Sequence, residues 1–171
     1  LSWDSIEPKG GWGRIVLGET WISHYGGHNV EATRAYPAPG QENHPIARGC
    51  ETLFGPSDVY EVTRLKGTDC TPIFLGQPLN GMTPEDTPNT DKPPLPVAWT
   101  KTFIGAEDKP ARVFTTTMGH SYDFKDEGVR RMFVNAAYWC VGLEDAIPER
   151  ADVAYVGEYD PTDIGFGTHK T

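Results

Sequence analysis

No apolar run in this chain approaches the ~20 residues that a membrane-crossing helix needs. Basic clusters are also missing: 15 Lys and Arg stand against 24 Asp and Glu, for a formal charge of −9 and nowhere a Lys/Arg patch. That balance argues against nucleic acid or an anionic membrane as partner and leaves a small neutral ligand or a protein. Cysteine is scarce. Cys50, Cys70 and Cys140 cannot all pair within one chain, and none lies in a CxxC or other ligand-spaced group, so a disulfide framework does not fit; one Cys50–Cys70 bridge is left open. The nucleophile elbows G-x-S-x-G and G-x-C-x-G are absent, since Gly49-Cys50-Glu51-Thr52 lacks the second glycine and follows a turn. There is no internal repeat. Leu1-Ser2-Trp3-Asp4 has neither an initiator Met nor a basic, apolar leader, which suggests that the true N-terminus lies upstream.

What is present fits one domain with a substantial core, for which five Trp, seven Tyr and seven Phe in 171 residues supply the bulk. The chain is organised around Arg112 to Gly142. Arg112 to Met118 is β-branched and aromatic, which predicts an interior strand packed on both faces. Gly119-His120-Ser121 breaks it. Asp123 then reads as an N-cap, and Asp126 and Glu127 as first-turn acids of a helix from Asp126 to Val141. Val129, Met132, Phe133, Ala136, Ala137 and Cys140 form its apolar face, and Gly142 ends it. Strand, Gly-His turn and helix make a βα unit, and ligands of open α/β sheets sit beyond the carboxyl ends of strands, where His120 falls.

Elsewhere, Leu1 to Gly13 reads as a loop, and Arg14 to Trp21 as a short helix in preference to a short strand. Ile22 to His28 carries Gly26-Gly27, which rules out a stable helix and makes this a loop with two imidazoles. Thr33 to Tyr36, Val59 to Thr63, Pro72 to Leu75 and Pro96 to Thr100 are predicted strands, and the Gly105 to Pro110 turn links the last to Arg112 to Met118 as a hairpin or close neighbour. With antiparallel and βα elements together, the sheet is expected to be mixed. Six prolines between Gly76 and Pro96 predict a long surface loop, either functional or simply mobile. Ile147-Pro148 is a stop, followed by the apolar run Val153 to Val156 and a Gly/Pro/Asp-rich tail.

His24, His28 and His120 stand in Gly-containing loops from which a side chain reaches a ligand. If they converge with a carboxylate from Glu19, Glu61 or Asp123, the chemistry is that of a divalent metal site; if not, they are hydrogen-bonding loop residues. Ser121 beside His120 makes a poor triad, because neighbouring side chains point apart. General acid–base work by His120 with Tyr122, Asp123 or Glu19 needs only pocket geometry and is the best enzymatic option. Trp21, Tyr25 and Trp99 are able to stack on a sugar face, with core packing the simpler role for Trp99. His44, before Pro45, is a turn residue, and His169 has no assigned role. Cys140 is a small hydrophobe of the helix face.

Taken in order, Gly11-Trp12-Gly13, Leu17-Gly18-Glu19-Thr20-Trp21-Ile22 with His24 and His28, His44-Pro45-Ile46, Pro96-Val97-Ala98-Trp99, Arg112-Val113-Phe114, Gly119-His120 and Arg130 to Trp139 resemble the trehalose-utilisation (ThuA-like) domain family. The likeness runs from about Gly11 to Pro148, with 149–171 as a C-terminal extension. It implies a class I glutamine amidotransferase-like α/β fold, a flavodoxin-like three-layer sandwich with a mixed sheet, and a link to sugar metabolism. It does not imply an amidotransferase Cys-His-Glu triad, and no elbow Cys is present. The family domain opens with βα units that have no counterpart before Gly11, so the resemblance implies the C-terminal part of a longer domain. Two functions follow from it. One is an enzyme acting on a disaccharide or an oxidised sugar, with His24, His28 and His120 as catalytic or metal-binding groups and Glu19, Trp21, Tyr25, Tyr122 and Asp123 around the ligand. The other is a non-catalytic carbohydrate-binding or interaction domain that keeps the fold alone. Bacterial cytoplasm and periplasm are both open as compartments.

Overall fold

The computed structural model describes residues 11–65 and 69–162, so Trp3 and His169 lie outside the described residues. Five strands, β1 Thr33–Pro37, β2 Leu53–Gly55, β3 Cys70–Pro78, β4 Leu95–Ile104 and β5 Pro110–Thr116, form one sheet in the order β2-β1-β3-β4-β5. One helix of more than two turns, α1 Glu127–Cys140, packs against β2, β5 and the 3-10 turns Pro45–Ala47 and Ser121–Lys125. The architecture is mixed α/β.

Every strand pair is antiparallel, and the expectation of a mixed sheet is corrected accordingly. A parallel neighbour needs a crossover of a dozen residues or more, commonly helical. Here α1 follows β5, and no described strand comes after it to make that crossover. A second correction concerns position: the strand expected in the interior is β5, an edge strand whose side chains are exposed or half-buried. Its β-branched and aromatic residues serve one covered face, where Phe114 meets Phe133 of α1 at 6.3 Å between ring centroids. The burial on both faces belongs to β4, where Val97, Ala98, Trp99 and Thr100 are all buried.

The main core lies between sheet and helix. Ala35, Ile73, Phe74, Val97 and Ala98 from the strands meet Val129, Met132 and Ala136 from α1, with Ile46, Leu53 and Met118 closing the ends. A smaller cluster joins Val62, Leu65 and Trp99, whose indole Nε1 donates to the Leu17 carbonyl at 2.7 Å. The helix also buries two polar residues that apolar periodicity passes over. Asn135 Nδ2 donates to the carbonyls of Ile46 and Arg48, and Arg131 donates to those of Gly49 and Ala151 and pairs with Glu127. These bonds fix the Pro45–Ala47 turn and the 149–153 segment to α1, satisfying carbonyls that lie outside any ladder.

Local boundaries shifted for identifiable reasons. The N-cap of α1 is Asp126, which accepts from the Val129 N–H at 2.8 Å, while Asp123 lies inside the preceding 3-10 turn, whose N-cap is His120, and accepts back from the His120 N–H. The helix ends at Gly142, whose φ of +76° suits a residue without Cβ. The helix expected over Arg14 to Trp21 is one π-helical turn, Gly13–Leu17. The strand expected over Val59 to Thr63 reduces to a single bridge, Tyr60 to His24. There the Val59 carbonyl accepts from both Tyr25 and Gly26, so a regular ladder does not continue. The Pro-rich stretch after β3 is a loop tied down by side chains. Gln77 Nε2 donates to the carbonyls of Asn89 and Lys92, and the Glu31 carboxylate takes Asn89 and Lys92 side chains and the Gly27 N–H. Burial pushes the Glu31 carboxyl up, but those donors outweigh it, and its pKa lies below the ordinary value.

Candidate functional site

A cleft of about 1370 Å³ opens where the 24–29 loop, the 54–60 segment, the end of β5 and the 82–84 loop meet. His24, His28 and Asp58 line it, as do Gly119, His120 and Tyr122. Met82 and Pro84 reach it from the Pro-rich loop, which therefore helps to shape the cleft.

The geometry around Asp58 is the most organised feature of the cleft. Its carboxylate is 3% exposed, and each oxygen meets one imidazole: Oδ2 lies 2.7 Å from His24 Nδ1, and Oδ1 2.9 Å from His28 Nδ1. An ionised carboxylate only accepts, so both rings donate through Nδ1–H, leaving Nε2 of each unprotonated when the ring is neutral. The rings lie 4.9 Å apart and are substantially exposed. Tyr60 stands edge-on to His24 at 5.5 Å, and Trp21 does so from outside the cleft lining at 5.8 Å. Burial, reinforced by the charges of Asp58 and Asp123, raises the Tyr60 phenol pKa and keeps it protonated.

The local sequence explains why this cluster forms. Tyr25 and Gly26 donate their N–H groups to Val59, and Glu61 donates to Ser23, strapping the His loop onto the segment that carries Asp58. Gly26 permits the approach: a Cβ there would lie 3.1 Å from both Asp58 Cβ and the Val59 nitrogen.

His120 is held differently. Its Nδ1 accepts from the Tyr122 N–H at 3.2 Å, and its ring stacks on Tyr122 with centroids 5.6 Å apart. With Nδ1 accepting, the neutral ring carries its proton on Nε2. Beneath it, Asp123 is fully buried and accepts from Gly119 N–H, His120 N–H and both the N–H and hydroxyl of Ser57. The carboxylate thus anchors the loop and is not among the residues lining the cleft.

Three sequence-nominated loop histidines therefore share one cleft, but among the described residues the group close enough to hold a single ion is His24, His28 and Asp58, without His120. The acids named from sequence are engaged elsewhere. Glu19 is buried against Arg14 and Arg64, Glu61 accepts from the Ser23 hydroxyl, and Asp123 has the partners given above. Tyr25 packs on the core and donates its hydroxyl to the Pro93 carbonyl, outside the cleft lining. His44 caps its turn, its Nδ1 accepting from Ile46 N–H at 3.2 Å. None of Cys50, Cys70 and Cys140 is in a disulfide, so the Cys50–Cys70 bridge left open by sequence is not formed. Asp58 itself had no signal beyond being an acid beside a turn and an apolar run. No helix among the described residues is long and apolar enough to cross a membrane. No family model, curated protein or solved structure matches the chain.

Proposed function

We propose that this chain is a ThuA-like domain whose cleft takes a small sugar, a disaccharide or its oxidised form, and acts on it by acid–base chemistry. The observation that carries this reading is that His24, His28 and His120, which belong to the stretches resembling that family, line one cleft large enough for such a ligand. Supporting it, the imidazoles that line the cleft are held in two tautomers. His120, whose Nδ1 accepts from a backbone N–H, carries its proton on Nε2 when neutral, whereas the Asp58-held rings carry theirs on Nδ1. Imidazoles of both kinds in one cleft are a donor and acceptor set suited to acid–base chemistry at a hydroxyl or carbonyl. Tyr122, Met82 and the Pro84 ring add apolar surface for a sugar face. The flavodoxin-like three-layer build is part of the same proposal; the helix packed on the sheet and the strand, Gly-His turn and helix in succession are what support it.

The test is a thermal-shift and calorimetric screen of neutral and oxidised mono- and disaccharides, with turnover followed by NMR of the sugar. At least one disaccharide should bind and be converted, and His120→Ala should lose conversion while melting cooperatively. Binding without conversion by the native protein would instead establish the non-catalytic carbohydrate-binding domain. No binding by any sugar would overturn both.

A further inference from the structure

We infer that His24, His28 and Asp58 form a binding site for one divalent transition-metal ion, of which Zn²⁺ is the natural probe. The three residues offer ligand atoms that all lie within 4.8 Å of one another. An ion bonded at ~2.0–2.2 Å to imidazole nitrogen and carboxylate oxygen draws such a set together by small side-chain rotations. Two imidazoles and a carboxylate are a donor set for a borderline divalent ion, not for Mg²⁺ or Ca²⁺, which prefer oxygen throughout.

Charge gives the second argument. Asp58 is buried, and its ion-pair partners among the described residues are the two histidines. With both rings neutral, the carboxylate keeps its negative charge in a poorly solvated place, facing two nitrogens that share protons with it. A cation taking the place of those N–H···O contacts would neutralise the charge and leave both rings close to where they already stand, the single proton of each neutral ring passing from Nδ1 to Nε2.

The third argument is organisation. The histidines sit on a loop strapped to residues 59–61 by three backbone hydrogen bonds, and Gly26 allows the loop its close approach to Asp58. Three protein ligands on the wall of an open cleft leave further coordination positions facing solvent, the pattern of a site that receives a ligand rather than one that only braces a fold. The inference stands without the sugar reading; taken with it, the ion would share the cleft with His120 and hold a sugar hydroxyl or carbonyl oxygen.

The experiment uses the full chain, stripped with EDTA and titrated with ZnCl₂ by calorimetry, and with Co²⁺ to follow its visible absorption. One equivalent should bind, with Co²⁺ giving the intense visible bands of a low-coordinate nitrogen and oxygen site. His24→Ala and His28→Ala, both at exposed rings, should each weaken binding at least tenfold while keeping a cooperative melt. His44→Ala, outside the cluster, should bind as the native chain does. Absence of stoichiometric binding, or binding undiminished in both His24→Ala and His28→Ala, would overturn the site. Sugar binding measured on stripped and loaded protein separates the two proposals: an ion without a sugar leaves this one standing, and a sugar without an ion leaves only the other.

Discussion

Asp123 accepts two hydrogen bonds from Ser57, from its N–H at 3.2 Å and its hydroxyl at 2.6 Å, and so joins the His120 loop to the residue next to Asp58. The two cleft-lining segments are thus tied together by one buried carboxylate, which also accepts from Gly119 and His120. Sequence-distant loops are brought together here by a hydrogen-bonded anchor and not by a sheet ladder.

Removing that anchor should be expensive. Asp123→Ala strands several buried donors at once, and we expect a loss of about 3–5 kcal/mol in urea unfolding. Gly55→Ala should destabilise through the same contact, because a Cβ at Gly55 would lie 2.3 Å from Asp123 Oδ1. A loss under about 1 kcal/mol for Asp123→Ala would mean that the network does not hold the loops.

Cys50 gives an alkaline signature. Burial pushes its thiol from 9.0 up to about 12, with the nearby Arg131 charge opposing in part. The thiol of the folded chain keeps its proton at pH values where the unfolded chain has lost it. Stability is therefore complete below about pH 9 and falls as pH rises toward 12, by on the order of 4 kcal/mol over the whole window. Urea midpoints at pH 8.5 and 10.5 measure the slope, which should flatten in Cys50→Ala. In the native fold Cys50 should also react with thiol reagents far more slowly than after unfolding.

His44 gives the opposite signature in acid. Burial, with the Arg112 charge adding to it and Glu144 opposing, lowers its pKa below 6.5, and its Nδ1 must stay unprotonated to accept from Ile46. The stability that depends on neutral His44 is present above pH 6.5 and is lost as pH falls below it through the lowered folded value. Unfolding between pH 7.5 and 5 should show a smaller change in His44→Asn, whose side-chain oxygen accepts a hydrogen bond without titrating. An identical pH dependence in the two proteins would remove His44 from the acid response.

How much of this was legible depends on what kind of information each feature carries. Thr33–Pro37, Cys70–Pro78, Leu95–Ile104 and α1 stand close to their predicted places because apolar and β-branched residues recur there with a local period. Apart from the hairpin of β4 and β5, announced by the turn between them, the pairing of the strands is a long-range property, and so the antiparallel order of the rest and the edge position of β5 were not readable from composition. Within α1, Arg131 and Asn135 are buried because isolated carbonyls of Ile46, Arg48, Gly49 and Ala151 need donors, a requirement set by segments far away in sequence. The loop histidines were recognisable from the glycines around them. Asp58 was not, since its role comes from the strap between residues 23–26 and 59–61, which no local pattern announces.

The histidines offer a last, direct check on the cleft. In metal-free protein at a pH where they are neutral, four described rings should divide into two tautomers. His24 and His28 should carry the proton on Nδ1, because each faces a carboxylate oxygen of Asp58 that only accepts. His44 and His120 should carry it on Nε2, because each Nδ1 accepts from a backbone N–H, of Ile46 and Tyr122 respectively. Long-range proton–nitrogen NMR separates the two forms by the chemical shifts of the ring nitrogens. Asp58→Asn, which puts an NH2 donor where one carboxylate oxygen stood, should shift one of His24 and His28 to the Nε2–H form and leave His44 and His120 as they were. Observing Nε2–H at His24 and His28 in the native, EDTA-treated chain would show that their contacts with Asp58 do not exist in solution, and the organisation of that wall would have to be rebuilt from other partners.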